Sequence, residues 1–486
     1  MGKKLISGTG YSYLSLLVNK LIGTFSSIYL ARKLGPENLG VVSLVNYTIM
    51  FMLFLAGLGI PQVLIKLGSE FETKYNKNKR NEFIFWAVLI EIIVTLFFCF
   101  IYFISAKAIA TRIYRRPILI DLFRISSLAV FFYALGSVIN TIFCTVLEFK
   151  LNSLSQIFTY FTGFILIVPL AHFFGVKGAV LSGVFASIVS FLLALFIFLK
   201  IKKTHDLNII PKRFFFNKNI AKNSIKALFA NSLPLFLSGL FTAPALPLLT
   251  VFLSHFCGLK AIGYFNIAYS LSQFVLFIPQ AVGTPFVPLV SQLIVSERDK
   301  LKQFLFKTIL STGILVFVIS FIMSFLGPVI LSVLYGRDYL PSENILVLLL
   351  ASTFLAGLLY IYGYYLIALG KMWKSFFLNF IWFIILVFAS YLIIRKVGLI
   401  GSGISYLLAY IVLTSMMLYF IYKELKEDFL LFVTYTFVGM SIILLVLVPK
   451  LLLDPQAIFA ARTLLLMFFI LYLLSFSRKL YKIYKK

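Results

Sequence analysis

Apolar runs of about 20 residues or slightly more succeed one another along the whole chain, separated by short polar or basic breaks. A hydrocarbon core roughly 30 Å thick requires about 20 apolar residues in helical conformation, so each run reads as a membrane-spanning helix. The pattern predicts fourteen spans, near 11–31, 40–66, 83–105, 120–145, 155–174, 178–199, 227–253, 263–294, 303–326, 343–368, 374–394, 398–422, 429–448 and 457–477. The first run is full length and lacks a small-residue cleavage site, so it is expected to remain as helix one rather than leave as a signal peptide.

The pattern repeats. Gly35 and Gly40, in Leu34-Gly35-Pro36-Glu37-Asn38-Leu39-Gly40, recur 223 residues later as Gly258 and Gly263. The same shift carries Gly175-Val176-Lys177-Gly178 onto Gly398-Leu399-Ile400-Gly401. Within a couple of residues of that register, Ile113-Tyr114-Arg115-Arg116 echoes Leu334-Tyr335-Gly336-Arg337. A unit this long is no solenoid; it reads as one lobe of a duplicated transporter with both copies in the same direction. The expected fold is all-α and polytopic. Two six-helix lobes (6+6) are related by a pseudo-two-fold along the membrane normal, with two further C-terminal helices. The expected divisions are an N-lobe 1–199, a basic linker 200–226, a C-lobe 227–423, and spans thirteen and fourteen with a basic tail, 424–486.

Composition agrees: 61% of the 486 residues are hydrophobic and 12% charged. The net charge of +28 would suggest nucleic acid if it formed a stripe, but the basic residues lie in the breaks between apolar runs. With the N-terminus inside, about 27 of the 44 Lys and Arg fall on the cytoplasmic side and about 12 outside, so both termini are expected in the cytoplasm. Lys107, Arg112, Arg115 and Arg116 break the rule and suggest a cationic outer mouth. The linker, with Phe214-Phe215-Phe216, reads either as an amphipathic segment on anionic headgroups or as a solvated connector. Cys99, Cys144 and Cys257 have no metal or redox spacing and read as buried small hydrophobes.

No catalytic motif, metal cluster or cofactor signature is present, and no soluble stretch is large enough to hold an active site. His172, His205 and His255 read as interfacial histidines. The informative residues are ionisable groups inside spans, each costing about 2.5–3.5 kcal/mol at mid-membrane on insertion scales. Lys20 lies roughly 13 Å into span one at 1.5 Å per residue. Ser12, Ser15, Asn19, Gly23 and Ser26 surround it at helical spacing, and such a seam faces a cavity or a partner helix rather than lipid. Glu91 lies about as deep in span three; it is a structural partner for Lys20 or a coupling carboxylate. Arg124 in span four either joins the cavity or snorkels. Lys66, Lys307 and Arg462, near span ends, snorkel by default. Asn46, Tyr47, Asn140, Asn266 and Tyr269 are candidates for sugar hydroxyls, with helix-to-helix hydrogen bonding as the alternative. Pro61, Pro234, Pro244, Pro247 and Pro285, with Pro279 and Pro288, mark breaks in spans two, seven and eight. With span one these become the expected cavity walls. Under the 223-residue shift Lys20 meets Ala243, so any charged contact in helix one belongs to the first lobe only.

The run Ala31-Arg32-Lys33-Leu34-Gly35-Pro36-Glu37-Asn38-Leu39-Gly40 resembles the signature of polysaccharide biosynthesis flippases, the O-antigen and oligosaccharide transporters. So do Gly258 to Tyr264 with Ala268, Leu334-Tyr335-Gly336-Arg337-Asp338-Tyr339, and the paired G-x-x-G turns. The superfamily also contains multidrug/toxin extruders and the peptidoglycan lipid flippase. The resemblance implies two six-helix lobes around a central cavity and alternating access. The cargo it implies is an undecaprenyl- or dolichyl-linked sugar, and in fourteen-span relatives the last two helices are associated with a groove for the lipid tail. The implied partners are that lipid-linked sugar, membrane lipids and other polysaccharide assembly proteins; no nucleic acid and no cofactor is implied. The alternatives are a cation-coupled drug exporter, which favours an acidic cavity, or a membrane glycosyltransferase or polymerase, which needs a larger catalytic loop.

Overall fold

The computed structural model describes residues 2–74, 77–207, 218–296, 298–425, 429–447 and 463–472. Among the described residues all regular structure is helical, and ten helices are long and apolar enough to cross a membrane. Two of these, 10–57 and 149–204, are pairs of spans joined end to end. Shorter apolar helices, Val433–Leu447 and Thr463–Tyr472, fall in the last two predicted spans. Every apolar run therefore has a helical counterpart. Phe214-Phe215-Phe216, Arg462 and the basic tail lie outside the described residues.

The chain divides into two compact units, Met1–Gly263 and Tyr264–Lys486. The first contains α1 (Gly2–Gly57), α2 (Ile60–Lys74), α3 (Lys77–Ala108), α4 (Leu119–Thr145), α5 (Phe149–Thr204), α6 (Lys218–Thr242) and α7 (Ala245–Phe256). The division falls within α8 (Leu259–Val275). The second unit continues with α9 (Phe277–Ser296), α10 (Arg298–Phe325), α11 (Gly327–Ile330), α12 (Glu343–Ala368), α13 (Met372–Val397), α14 (Ile400–Leu425) and α15 (Phe429–Leu444).

The repeat is visible in the backbone. Gly35 has φ 72° and Gly258, 223 residues on, φ 87°; Gly175 and Gly398 have 57° and 67°. These left-handed conformations carry almost no steric penalty at glycine, and they reverse the chain without an intervening loop. The same register pairs Leu147 (φ 62°) with Gly370 (φ 70°), an equivalence hidden in the sequence because only one partner is glycine. The third echo is a π-helical turn in each copy, Ile109–Ile113 and Leu331–Tyr335. Each is followed by a left-handed residue, Arg115 (φ 55°) or Gly336 (φ 105°).

The second glycine of each pair has a different task. A Cβ on Gly40 would overlap the carbonyl oxygen of Leu259, and one on Gly263 would overlap that of Pro36. Pro36 and Leu259 are themselves 223 residues apart, so the contact is reciprocal under the repeat. Two helix starts cross here at backbone contact, which only small residues permit. Gly178 and Gly401 likewise lie against the backbone of the preceding helix, at Leu170 and at Ile393–Ile394.

Three predicted spans are interrupted. Span two stops at Gly57, passes through Leu58 (φ 43°) and Gly59 (φ 74°), and resumes as α2 with Pro61 in its first turn. Span seven breaks between α6 and α7 with Pro244 at the new N-cap and Pro247 in the first turn. Pro234 is accommodated inside α6. Span eight breaks at Leu276, and α9 restarts with Pro279 in its first turn, then runs on through Pro285. First-turn proline is tolerated because its missing N–H would be unbonded there anyway. In span eight the break therefore precedes Pro285 by nine residues.

Candidate functional site

The first half of α1 is apolar on its outer side and polar within. Leu14, Leu17, Leu21 and Phe25 are exposed, whereas Ser15 and Asn19 are buried. A helix lying in lipid with that distribution must turn its polar seam toward protein. The seam is largely self-bonded: Ser15 Oγ donates to Ser12 O (3.0 Å), Thr24 Oγ1 to Lys20 O (2.9 Å) and Ser26 Oγ to Ile22 O (2.9 Å). Asn19 is the exception. It is 7% exposed, and its Oδ1 has no hydrogen-bond partner.

Two contacts register α1 beside the first half of α5. Tyr29 Oη donates to Val168 O (2.8 Å), and Lys150 Nζ sits 5.8 Å from the centre of the Tyr11 ring. Both pairs have the same sequence offset, so the helices run parallel and Thr159 falls level with Lys20. Thr159 Oγ1 in turn meets Ser190 Oγ at 2.6 Å. Asn140, on α4, is half-buried with an unpartnered Oδ1. On α1 and α5 the first unit thus carries polar side chains at the level of Lys20.

Other sequence candidates lie elsewhere. Arg124 is exposed and lies 5.8 Å from the Phe103 ring, which is itself exposed. It also lies near the opposite end of the unit from Lys20. Asn46 is exposed on the second half of α1, and Tyr47 is buried. Glu91 is buried beside Gly57; among the described residues it makes no ion pair with Lys20, so the structural pairing is not formed. The side chains of Lys66 and Pro285 lie outside the described ones.

In the second unit Tyr269 belongs to an aromatic group and Asn266 is half-buried one turn before it. Tyr269 stacks on Phe265 (centroids 5.6 Å) and tilts against Tyr406 (5.9 Å); Trp382 touches Tyr406 (6.2 Å) and Tyr410 (5.6 Å). The Trp382 ring is 8% exposed and its Nε1 has no acceptor. With Tyr406 4% and Phe265 0% exposed, these rings pack the interior of the second unit.

Two features were not anticipated from the sequence. Arg80 is fully buried at the start of α3. Its guanidinium donates to Asn81 Oδ1 (2.9 and 3.1 Å) and to the carbonyls of His205 (2.9 Å) and Asp206 (3.3 Å). Asn81 Nδ2 adds a bond to Asp206 O (2.8 Å), and His205 pairs with Glu148 at 3.2 Å. A cation closes the C-terminal pole of α5 and fixes the chain where the linker departs. Its basic neighbours hid it: an arginine in a basic stretch reads as solvated. At the other end of the unit, Arg116 Nη2 donates to Ser254 O (3.2 Å), Ser254 Oγ to Tyr114 O (3.1 Å), and His255 Nε2 meets Ile113 O at 2.6 Å. These bonds tie the turn after α3 to the end of α7.

A duplicated helical membrane fold, with polar side chains inside its spans and paired helix crossings, defines a polytopic transporter-type protein. A family model for "Polysaccharide biosynthesis protein" matches residues 29–344, and the chain belongs to that family. It is 29% identical over 218 residues to the Capsular polysaccharide biosynthesis protein CapF of Staphylococcus aureus, a match covering 43% of this chain and 52% of that protein. The match thus spans about half the length of this curated relative. Among solved structures, an inward-facing multidrug resistance MATE family transporter of the MOP superfamily superimposes with TM-score 0.71 at 17% identity, over 84% of this chain and 96% of that one. The lipid II flippase MurJ, in an inward closed conformation, gives 0.70 at 16% identity over 98% and 99%. At these identities the two structures establish the shared fold.

Proposed function

We propose that this protein is a flippase carrying a polyprenyl-phosphate- or diphosphate-linked oligosaccharide across the cytoplasmic membrane by alternating access, with both termini in the cytoplasm. The observation that carries the reading is the polar seam of α1, where Lys20 and Asn19, whose Oδ1 has no partner, stand opposite an exposed apolar face. A diphosphate head cannot cross hydrocarbon unaided, and an ammonium group with nearby hydroxyls and amides replaces its hydration. The family supports a role in polysaccharide assembly, and the MurJ-like fold supports movement of a lipid-linked substrate.

Lys20→Ala is expected to abolish export while the protein remains folded and inserted, and Lys20→Arg to retain part of it. The measurement is accumulation of unflipped lipid-linked glycan in cells. Normal export by Lys20→Ala at normal protein levels would end the assignment.

A further inference from the structure

The exposed face of α3 ends in cations. Ile93, Phe97, Phe100 and Ile104 fall on one side of the helix, each more than half exposed, and exposed Lys107 continues that line. At 1.5 Å per residue Lys107 stands about 15 Å beyond Phe97, the depth of one hydrocarbon leaflet. Beside this line the Arg124 guanidinium of α4 lies over the Phe103 ring, one turn short of Lys107. Two cations thus flank one aromatic ring at the end of an apolar stripe. The opposite side of α3 is committed to the first unit: Tyr102 is fully buried, and its hydroxyl meets Ser126 Oγ of α4 at 2.9 Å.

The turn beyond adds charge. Arg112 and Arg115 are exposed, and Arg115 holds its place at φ 55°, where the second copy has Gly336. Arg116 is directed inward, to Ser254 O. The carboxylate of this stretch, Asp121, lies in the first turn of α4, where it faces the positive end of that helix. Among the described residues neither Lys107 nor Arg124 forms an ion pair. Topology does not explain these cations, because the charge bias of the chain as a whole favours the other side of the membrane.

We propose that Lys107, Arg124 and the apolar face of α3 bind an anionic glycerophospholipid, its phosphate at the two cations and one acyl chain along Phe97, Phe100 and Ile104. With both termini in the cytoplasm, as read above, that lipid belongs to the outer leaflet. Charge complementarity selects the occupant. A second copy docking on this face by a two-fold would bring Lys107, Arg112 and Arg124 against their own equivalents. A phosphate neutralises them, and its chain covers the stripe. Lipid bound here also bears on the turn that follows, whose Tyr114 and Ile113 carbonyls meet Ser254 and His255 of α7.

The test places a single tryptophan on the stripe, as Phe100→Trp with Trp86, Trp373 and Trp382 replaced by Phe, in the full-length protein in phosphatidylcholine vesicles. Brominated phosphatidylglycerol is expected to half-quench it at a lipid fraction roughly fivefold or more below that of brominated phosphatidylcholine. Lys107→Gln with Arg124→Gln should bring the two lipids to equality. Lys107→Arg should keep the preference, and high salt should weaken it. If the tryptophan-free background fails to fold, the wild-type chain and the double Gln variant are compared instead, by the rise in Tm that phosphatidylglycerol gives over phosphatidylcholine in detergent. Equal effects of the two lipids on the unsubstituted site, or a preference that survives the double variant, overturn the proposal. Quenching by neither lipid shows the face covered by protein and overturns it as well. Displacement by undecaprenyl phosphate at a lower fraction than by unlabelled phosphatidylglycerol assigns the site to a polyprenyl carrier and overturns the phospholipid. No transport is measured, so the outcome is independent of the flippase reading.

Discussion

Arg115 occupies a left-handed conformation that glycine fills in the second copy, at Gly336. A non-glycine residue there costs roughly 1–2 kcal/mol, and Arg115 is exposed, so little packing is lost on replacing it. Arg115→Gly is therefore expected to raise stability by up to about 1 kcal/mol, the rest being offset by the entropy of glycine in the unfolded chain. Gly336→Arg should lower it by about as much. Thermal unfolding of the two variants checks both signs. The retention of arginine at a strained site, among Lys107, Arg112 and Arg116, fits a chain in which that charge serves a purpose other than stability. Leu147 carries the same strain opposite Gly370. Neither residue was legible as left-handed, because only the other copy shows the glycine.

At the scale of elements, the reciprocal crossing at Gly40 and Gly263 is sensitive to a single added side chain. Each glycine faces a backbone carbonyl, at Leu259 and Pro36, and backbone cannot move aside as a flexible side chain can. Gly40→Leu and Gly263→Leu should each force the two helix starts apart. Because both break one contact, the double variant should be much less than additive. Thr250, fully buried in the middle of α7, supplies the reporter. In a Thr250→Cys background, labelling by a membrane-impermeant thiol reagent is expected to be slow, and fast once Gly40→Leu is added. Equal labelling with and without Gly40→Leu would show that the crossing does not govern access. The paired glycines were visible in the sequence as turn formers, which the first of each pair is; the second serves helix approach, and only packing could reveal that.

For the whole molecule, the distribution of Lys and Arg predicts that both termini and the linker lie on the cytoplasmic side. Single cysteines at Asn208 and Lys486 should be protected from an impermeant reagent in intact cells and labelled after permeabilisation. Labelling of either from outside would invert the topology, and with it the direction of the proposed transport. The buried contact of Arg80 with the carbonyls of His205 and Asp206 anchors the chain just before the linker. The first unit thus keeps a fixed point from which the connection departs.

The lengths of the apolar runs determined the class and the fourteen expected spans, and the register of the paired glycines the duplication, because span length is set by bilayer thickness and both are local features of the chain. The apolar runs also located Lys20, Asn19 and Glu91, since a polar group in an apolar run stands out against its neighbours. Partners could not be read this way. Lys20 and Glu91 lie at similar depths in their spans, so a pair was reasonable, yet Glu91 is set against the broken end of α1. Pro285 marked the correct span but not its break, because α9 continues through it. The burial of Arg80, the aromatic group around Trp382 and the strain at Leu147 and Arg115 depend on residues far apart in sequence, or on a backbone conformation without a residue signature. Tertiary structure decided those, because a side chain's environment is set by which helices pack against it.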